Sequence, residues 1–399
     1  MNFLGYKRPD GRVGIRNHTL IIANGRNAAN LGALISKSVQ GAKCFVATNE
    51  NGRGADDRAA IARTLTGLGN NPNVGAVLVV GAKRDGSHEE FFYDAFVGEI
   101  AGSGKPLETL FMDECGGFDA ALGAGVRKAR NLLIAASRAE RVRAGLGDLF
   151  LAVKCGYSDA SSGMAGNPAV GHLFDSVVDA GGTAVFSETT EVIGAEHLLS
   201  KRFTSPCEAA KFLAAVQRVE DEAKALGKDI RTINPIPANI AAGLSTLEEK
   251  SLGAIAKAGR RPLGQCLRYA ESPKSRGLHF MDSWMSSSVL FLGFAAAGSV
   301  LNIFQVGGGS FGKGQMMPTA NAGVVAPTIF MTGNPRTFEN TGEDMDFSAA
   351  GILTERRPIS HIGNVLCEKV CKIAGGELTK GETLNIEEVV EVYLRGACF

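Results

Sequence analysis

The sequence predicts an α/β protein, with a doubly wound parallel-sheet N-terminal domain followed by a larger glycine-rich α/β C-terminal domain. Three observations predict it. Short runs rich in Val, Ile and Phe alternate with longer helical patterns, the signature of βαβ units on a parallel sheet. A chain of 399 residues with 45% hydrophobic and 21% charged side chains can bury sizeable cores. Glycine reaches 51 of 399 residues, about 13% against an average of about 7%, without a Gly-X-Y period, so the excess belongs to turns and tight loops.

In order, the first domain reads as strand HTLIIAN, helix NAANLGALISKSVQ, strand KCFVATN, helix DDRAAIARTLTGLG and strand VGAVLVVG. A helix over HEEFFYDAFVGEIAG and a strand over PLETLFMD follow. A long helix then runs from about Phe118 to Arg143 and closes at Gly145-Leu146-Gly147, which sets the expected domains at 1–145 and 146–399.

The second domain opens with strand LFLAVKCG, a polar glycine-rich loop, a helix from Pro168, strand TAVFSE and a helix through EVIGAEHLLSKR. The proline-bearing DIRTINPIPANIAA reads as a connector. Ser245-x-x-Glu248 and Thr246-x-x-Glu249 both spell capping boxes ahead of LGAIAKAG. Strands near LGQCLRYA, GLHFMDS and LNIFQV, a glycine-rich stretch and a terminal helix from Ile386 complete the pattern. The longest apolar run, Val289 to Phe304, is shorter than the roughly 18 residues of a membrane span and reads as a buried helix entering a buried strand.

Charge and cysteine usage narrow the function. Forty-two Lys+Arg against 41 Asp+Glu give no footprint for nucleic acid and no polybasic membrane patch, so a small, locally bound ligand is expected. The N-terminal MNFLGYKRPDGR has no apolar core and carries no secretory signal. Eight cysteines without a Cys-x-x-Cys argue against a zinc ribbon, a cluster or a disulfide scaffold and for a reducing cytoplasm.

The segment Lys154-Cys155-Gly156-Tyr157-Ser158-Asp159 through Asn167-Pro168 carries the most chemistry. A buried strand ends at a cation and a soft nucleophile or ligand, and a loop of small hydroxylic residues leads to a helix with Asn167 as N-cap and Pro168 first. In outline this is an anion pocket beyond the carboxyl end of a strand. TAVFSE ends likewise at Ser187 and Glu188, while Glu191 reads as an acidic first helical turn and Glu196-His197 lie one turn further on. Lys154, Cys155, Asp159 and Glu188 are thus expected in one crevice, where such a set can hold a divalent metal, polarise a carboxylate and move a proton. GLHFMD places His279 and Asp282 near a strand end on opposite faces. The run Gly307 to Gly314 spells a phosphate loop, but Gly314 stands where the Ser or Thr should be and Pro318 interrupts the next helix; a loop for a substrate carboxylate, with Gly309 and Ser310, is the other reading. Cys367 and Cys371 share a helical face as core.

Together GYKRPDGRVGIRNH, KCGYSDASSGMAGNPAVG, SETTEVIGAEHLL, GLSTLEEKSLGAIAKAG, GLHFMD, TGNP and DMDFSAAGIL resemble the altronate/galactarate dehydratase family over nearly the whole chain and in the family's order. The resemblance implies an iron(II)- or manganese(II)-dependent hydro-lyase that converts a sugar acid to a 3-deoxy-2-keto acid. A related branch, the sulfolactate sulfo-lyases, releases sulfite and is built from small and large subunits. The chain begins directly at GYKRPDGR without the family's small SAF-type domain, which implies that this domain is a separate small SAF-like subunit or is missing. ATNENGRGADD and VVGAKRDG lack the His and Cys of the family's corresponding turns, which moves the chain toward the split branch or toward a non-catalytic subunit of the same fold. Under this resemblance Lys154, Ser158 and Asn167 would cradle the carboxylate, Cys155 and Glu188 would hold the metal, and Asp159, His197 or His279 would move the proton. A homo-oligomer of the large subunit is also expected.

Overall fold

The chain's fold, given by a computed structural model, covers residues 1–47, 53–85, 93–308, 323–384 and 390–396. Three sheets organise them. β1 (Asn2–Lys7), β2 (Val13–Gly14) and a later strand β7 form a small antiparallel sheet. β3 (His18–Asn24), β4 (Ala42–Ala47), β5 (Val74–Gly81) and β6 (Leu107–Phe111) form a parallel sheet in the order β4-β3-β5-β6. β7 spans Arg141–Gly145. The third, also parallel, contains β8 (Phe150–Gly156), β9 (Thr183–Phe186), β10 (Leu263–Leu267), β11 (Gly277–Met281), β12 (Leu301–Val306), β13 (Thr328–Thr332) and β14 (Phe347–Ser348), ordered β10-β11-β9-β8-β12-β13-β14.

The α/β class is therefore as the alternation predicts. Every residue of VGAVLVVG and of LNIFQV is buried, as expected of strands covered by helices on both faces. The apolar run after Val289 does become a helix, Ser287–Ala297, followed by β12. That helix packs on the helix Ala55–Asn70 of the N-terminal sheet and on β8 and β12 of the larger one, so one hydrophobic core joins the two layers. A Cβ at Gly67 would collide with the Ala296 carbonyl, which is why the helices can approach so closely there. Among the described residues no helix is long and apolar enough to cross a membrane.

Four local expectations are corrected. The long helix stops at Ser137, and RVRAG becomes β7, which pairs antiparallel with β1 from Asn2↔Gly145 to Tyr6↔Arg141. Pairing with the chain's first strand, stabilised by Arg141 stacked 5.0 Å from the Tyr6 ring centre, overrides the helical continuation. EVIGAEHLLSKR is a 3₁₀ turn, Thr189–Glu191, and a short helix, Glu196–Ser200, separated at Gly194 with φ of 88°. Asn167 is not an N-cap: its φ and ψ of −63° and −43° are helical, because a wide π turn, Ser162–Gly166, runs into the helix Asn167–Asp179. The terminal helix expected from Ile386 begins outside the described residues, and 390–396 form no helix but bond Asp57 through the Arg395 and Gly396 N–H groups.

The N-terminal motif GYKRPDGRVGIRNH is the junction of the molecule. All five Arg16 N–H donors are used, on Glu382, Ile15, Ile373 and Glu377. Asn73 accepts from the Ile15 and Arg16 N–H groups and donates to Val300 and Val325, while Asn71 donates to Ala295 and Ser299.

Candidate active site

β8 and β9 run side by side and in parallel, Val153 opposite Phe186, so the chain leaving β9 is delivered to the carboxyl end of β8. Glu188 then adopts φ 79° and ψ 72°, a left-handed conformation that non-glycine residues rarely take. This kink returns its carboxylate to β8, where Oε2 accepts the Cys155 N–H at 3.0 Å, beyond the last ladder bond of β9. One 3₁₀ turn further, Glu191 Oε2 lies 3.0 Å from Cys155 Sγ.

Three lysines surround these groups. Lys154 Nζ is 3.3 Å from Glu188 Oε1 and donates to the Cys155 carbonyl at 2.6 Å. Lys250 Nζ is 3.1 Å from Glu191 Oε1 and donates to Asn234 Oδ1 at 2.8 Å. Lys257 donates to Glu188 Oε2 and lies 3.1 Å from Cys155 Sγ. Lys250 sits on the helix Leu247–Ile255 and Lys257 on the 3₁₀ turn that continues it, seven residues or two turns apart, so both face the same way. Thr246 caps that helix by accepting the Glu249 N–H, but neither expected box closes, since the Glu249 carboxylate accepts from the Ser245 N–H and hydroxyl and not from the Thr246 N–H.

Burial makes this cluster strongly interacting: Cys155 and Glu188 are 0% exposed and Lys257 1%. Burial, then Glu188 and Glu191, push the Cys155 thiol far up, outweighing Lys257, so the sulfur is protonated and positioned to donate to Glu191. Burial alone would raise the Glu191 carboxyl, but Lys250, then Lys257 and Lys154, hold it well below the ordinary range. Burial would likewise lower Lys257, yet Cys155, Glu188 and Glu191 raise it.

Cys155, Glu188 and Glu191 offer ligand atoms within 4.8 Å of one another, a buried set of donors of the right type for a divalent ion. The arrangement around them does not fit one. Lys257 already supplies the cation between the sulfur and Glu188, and three ammonium groups already face two carboxylates.

Beside the cluster a cavity of about 320 Å³ is lined by Ser158, Asp159, Ser162, Asn167, Lys250 and Gly253. Ser158 Oγ and Asn167 Oδ1 are buried without a hydrogen-bond partner among the described residues. Asn167 Nδ2 donates to the Gly253 carbonyl at 2.9 Å, which fixes the amide and leaves its oxygen for a ligand. Asp159 accepts from Ser161 Oγ at 2.5 Å, the Ser162 N–H at 3.1 Å and Asn334 Nδ2 at 2.8 Å. TGNP, through Asn334, thereby meets DASSG. A Cβ at Gly307 would collide with Asp159 and the Tyr157 carbonyl, so the glycine-rich run also starts against this loop.

Of the sequence-predicted residues, Lys154, Cys155 and Glu188 meet in the cluster, and Ser158, Asp159 and Asn167 line the cavity beside it. The anion pocket at a free helix N-terminus is not formed, since the π turn continues the helix upstream of Asn167. His197 is exposed on its short helix, in contrast to the buried cluster. His279 is enclosed in β11, where Nδ1 accepts the Gln265 N–H at 3.1 Å and Nε2 therefore donates to the Ser275 carbonyl at 2.9 Å. Asp282 is held by Arg218 and Thr189. Gly309 and Ser310 lie outside the described residues. Glu191, Lys250 and Lys257 were not singled out as site residues from sequence. The available signal was two lysines inside the otherwise small or apolar stripe Leu247, Ser251, Ala254 and Ala258.

Residues 146–395 match the family described as D-galactarate/Altronate dehydratase, C-terminal, and residues 5–137 match D-galactarate dehydratase/Altronate hydrolase, second domain. The chain is 33% identical to (2R)-sulfolactate sulfo-lyase subunit beta of Chromohalobacter salexigens over 97% of its own length and 96% of that protein's. It is 28% identical to altronate dehydratase of Escherichia coli over 96% of this chain and 76% of that one, and 29% identical to the galactarate dehydratase (L-threo-forming) of the same organism over 79% and 59%. Matched along most of its length by both domain descriptions, the chain is a lyase and belongs to the D-galactarate/altronate dehydratase family.

Proposed function

We propose that this chain eliminates a leaving group from the carbon next to the hydroxyl-bearing carbon of a 2-hydroxy carboxylate, with water leaving from a sugar acid such as altronate or galactarate. The observation that carries the reading is the cavity in which Ser158 Oγ and Asn167 Oδ1 stand unpartnered beside a cluster with one more lysine than carboxylate. Asn167 Oδ1 accepts the substrate hydroxyl, Ser158 Oγ donates to the carboxylate, and Lys250, two of whose three donors are engaged, turns its positive charge to the same anion. Asp159 is the proposed proton acceptor, because of the two carboxylates that line the cavity, Asp159 and Glu249, it is the buried one. The charge that develops on the carboxylate as the proton leaves is stabilised by the lysines, where preorganised cations act most strongly. No step is assigned to iron(II) or manganese(II), the ions that the family resemblance implies, because Lys257 stands between Cys155 and Glu188.

A second leaving group, sulfite from (2R)-sulfolactate, is favoured by one observation: the match to the sulfo-lyase subunit beta spans nearly the whole of both chains. That relative's designation as a subunit also supports a partner, proposed here as a small SAF-like protein, with the large subunit self-associated and the complex in the cytoplasm.

The test is co-expression with a small SAF-like partner and an anaerobic assay on aldonates, aldarates and (2R)-sulfolactate, with and without added iron(II) or manganese(II). A 2-keto acid from a sugar acid supports the first reading and sulfite supports the second. Silence across the panel from a folded complex overturns both.

A further inference from the structure

We infer that Lys257, seated against Cys155 and Glu188, denies a divalent ion the donor set Cys155, Glu188 and Glu191, so that this buried cluster is an ammonium-centred site that works without a metal. The inference concerns the cluster and holds whichever substrate the neighbouring cavity takes.

A metal held by one sulfur and two carboxylates sits about 2.0–2.3 Å from each ligand atom. The three donors lie close enough together to surround such an ion, within 4.8 Å of one another. Lys257 Nζ lies at the Cys155–Glu188 side of that space, 3.1 Å from Cys155 Sγ and hydrogen-bonded to Glu188 Oε2, while Glu191 is paired with Lys250. An ion bound to the same two residues would press against the ammonium, and the like-charge repulsion is poorly screened in so dry a place. The ammonium has no easy exit. Lys257 is 1% exposed, and its neighbour Ala258 on the same 3₁₀ turn is 0% exposed.

Charge gives the second, independent argument. Lys154, Lys250 and Lys257 supply three positive charges against the two of Glu188 and Glu191, all within ion-pair distance. A divalent ion would leave a buried excess of at least two positive charges even if Cys155 gave up its proton, and buried charge without a counterpart is strongly disfavoured. Donor type alone points to a metal at this position, whereas the lysines make it a site that already contains its cation.

The experiment titrates the purified full-length protein with cobalt(II) under anaerobic conditions and reads two signals, the thiolate-to-cobalt charge-transfer absorption and the melting temperature. The wild type is expected to show neither band nor shift. Lys257→Met, which keeps the length and removes the charge, is expected to gain a one-to-one band and to melt higher with cobalt than without it. A stoichiometric band in the wild type that disappears in Cys155→Ser overturns the inference, and so does a folded Lys257→Met protein that gains no band. If Lys257→Met cannot be obtained folded, the wild-type titration with its Cys155→Ser control still decides.

Discussion

Two buried polar networks of this chain differ in what they leave unmade. At the junction of the two parallel sheets, Arg16, Asn71 and Asn73 are saturated by backbone carbonyls, N–H groups and Glu382. At the carboxyl end of β8, a network no more exposed to water borders a cavity on which Ser158 Oγ and Asn167 Oδ1 find no partner. Buried polar atoms are nearly always paired, so saturation marks a network that holds the fold and an unpaired atom beside a cavity marks one awaiting a ligand. The GYKRPDGRVGIRNH motif, through Arg16, and the DASSG loop both carry the family resemblance, yet on this criterion the first is architecture and the second is site.

The largest expected effect tests the junction. Arg16→Ala removes a buried guanidinium and leaves Glu382 and three carbonyls without their donor, which should cost about 3–5 kcal/mol of folding stability. Arg16→Lys should recover only a minor part, because an ammonium has three donors where five are used. Denaturant midpoints measure both. A loss under about 1 kcal/mol for Arg16→Ala would show that the junction is not what ties the two sheets together.

Most of the parallel strands were legible because strands covered on both faces are continuous apolar runs, as in VGAVLVVG and LNIFQV, whereas β13 and the two-residue β14, which follow the glycine-rich stretch, were not. β7 was not, since RVRAG follows a helix directly and its partner β1 lies at the other end of the region, a pairing that no local pattern reports. Asn167-Pro168 spells a helix start, and the spelling misled because a π turn enters that helix from upstream. In the site, Lys154, Cys155 and Glu188 were legible as polar residues at the ends of apolar strands. Lys250 and Lys257 were not, because lysine is normally an outward residue and only its place in a buried stripe distinguishes these two.

Ser158 sharpens the comparison at a smaller energy. Its Oγ makes no hydrogen bond among the described residues, so Ser158→Ala should change stability by less than about 0.5 kcal/mol. If the hydroxyl is reserved for substrate, the same variant should weaken binding by about 0.5–1.5 kcal/mol, up to roughly tenfold in KM or Kd. Paired measurement of the denaturant midpoint and of substrate affinity separates these effects. Loss of stability with unchanged affinity would move Ser158 to the structural side.

The smallest effect concerns His279, which lies in the sheet of the candidate site but is saturated in the manner of the junction. Burial lowers its pKa below the ordinary 6.5, outweighing the Ser275 carbonyl and Glu208, and both ring nitrogens are engaged with backbone groups. The unfolded chain takes up a proton on this ring as pH falls through 6.5, while the folded chain stays neutral until lower pH. Stability is therefore complete above 6.5 and declines below it, with a limiting slope of about 1.4 kcal/mol per pH unit for this one group. His279→Gln removes the group from the titration. Whatever the substitution costs at pH 7.5, the wild type's advantage over the variant should shrink between pH 6.5 and 5.5. Denaturant midpoints at the three pH values decide it, and an advantage that stays constant would mean that the ring takes up its proton equally in the folded chain.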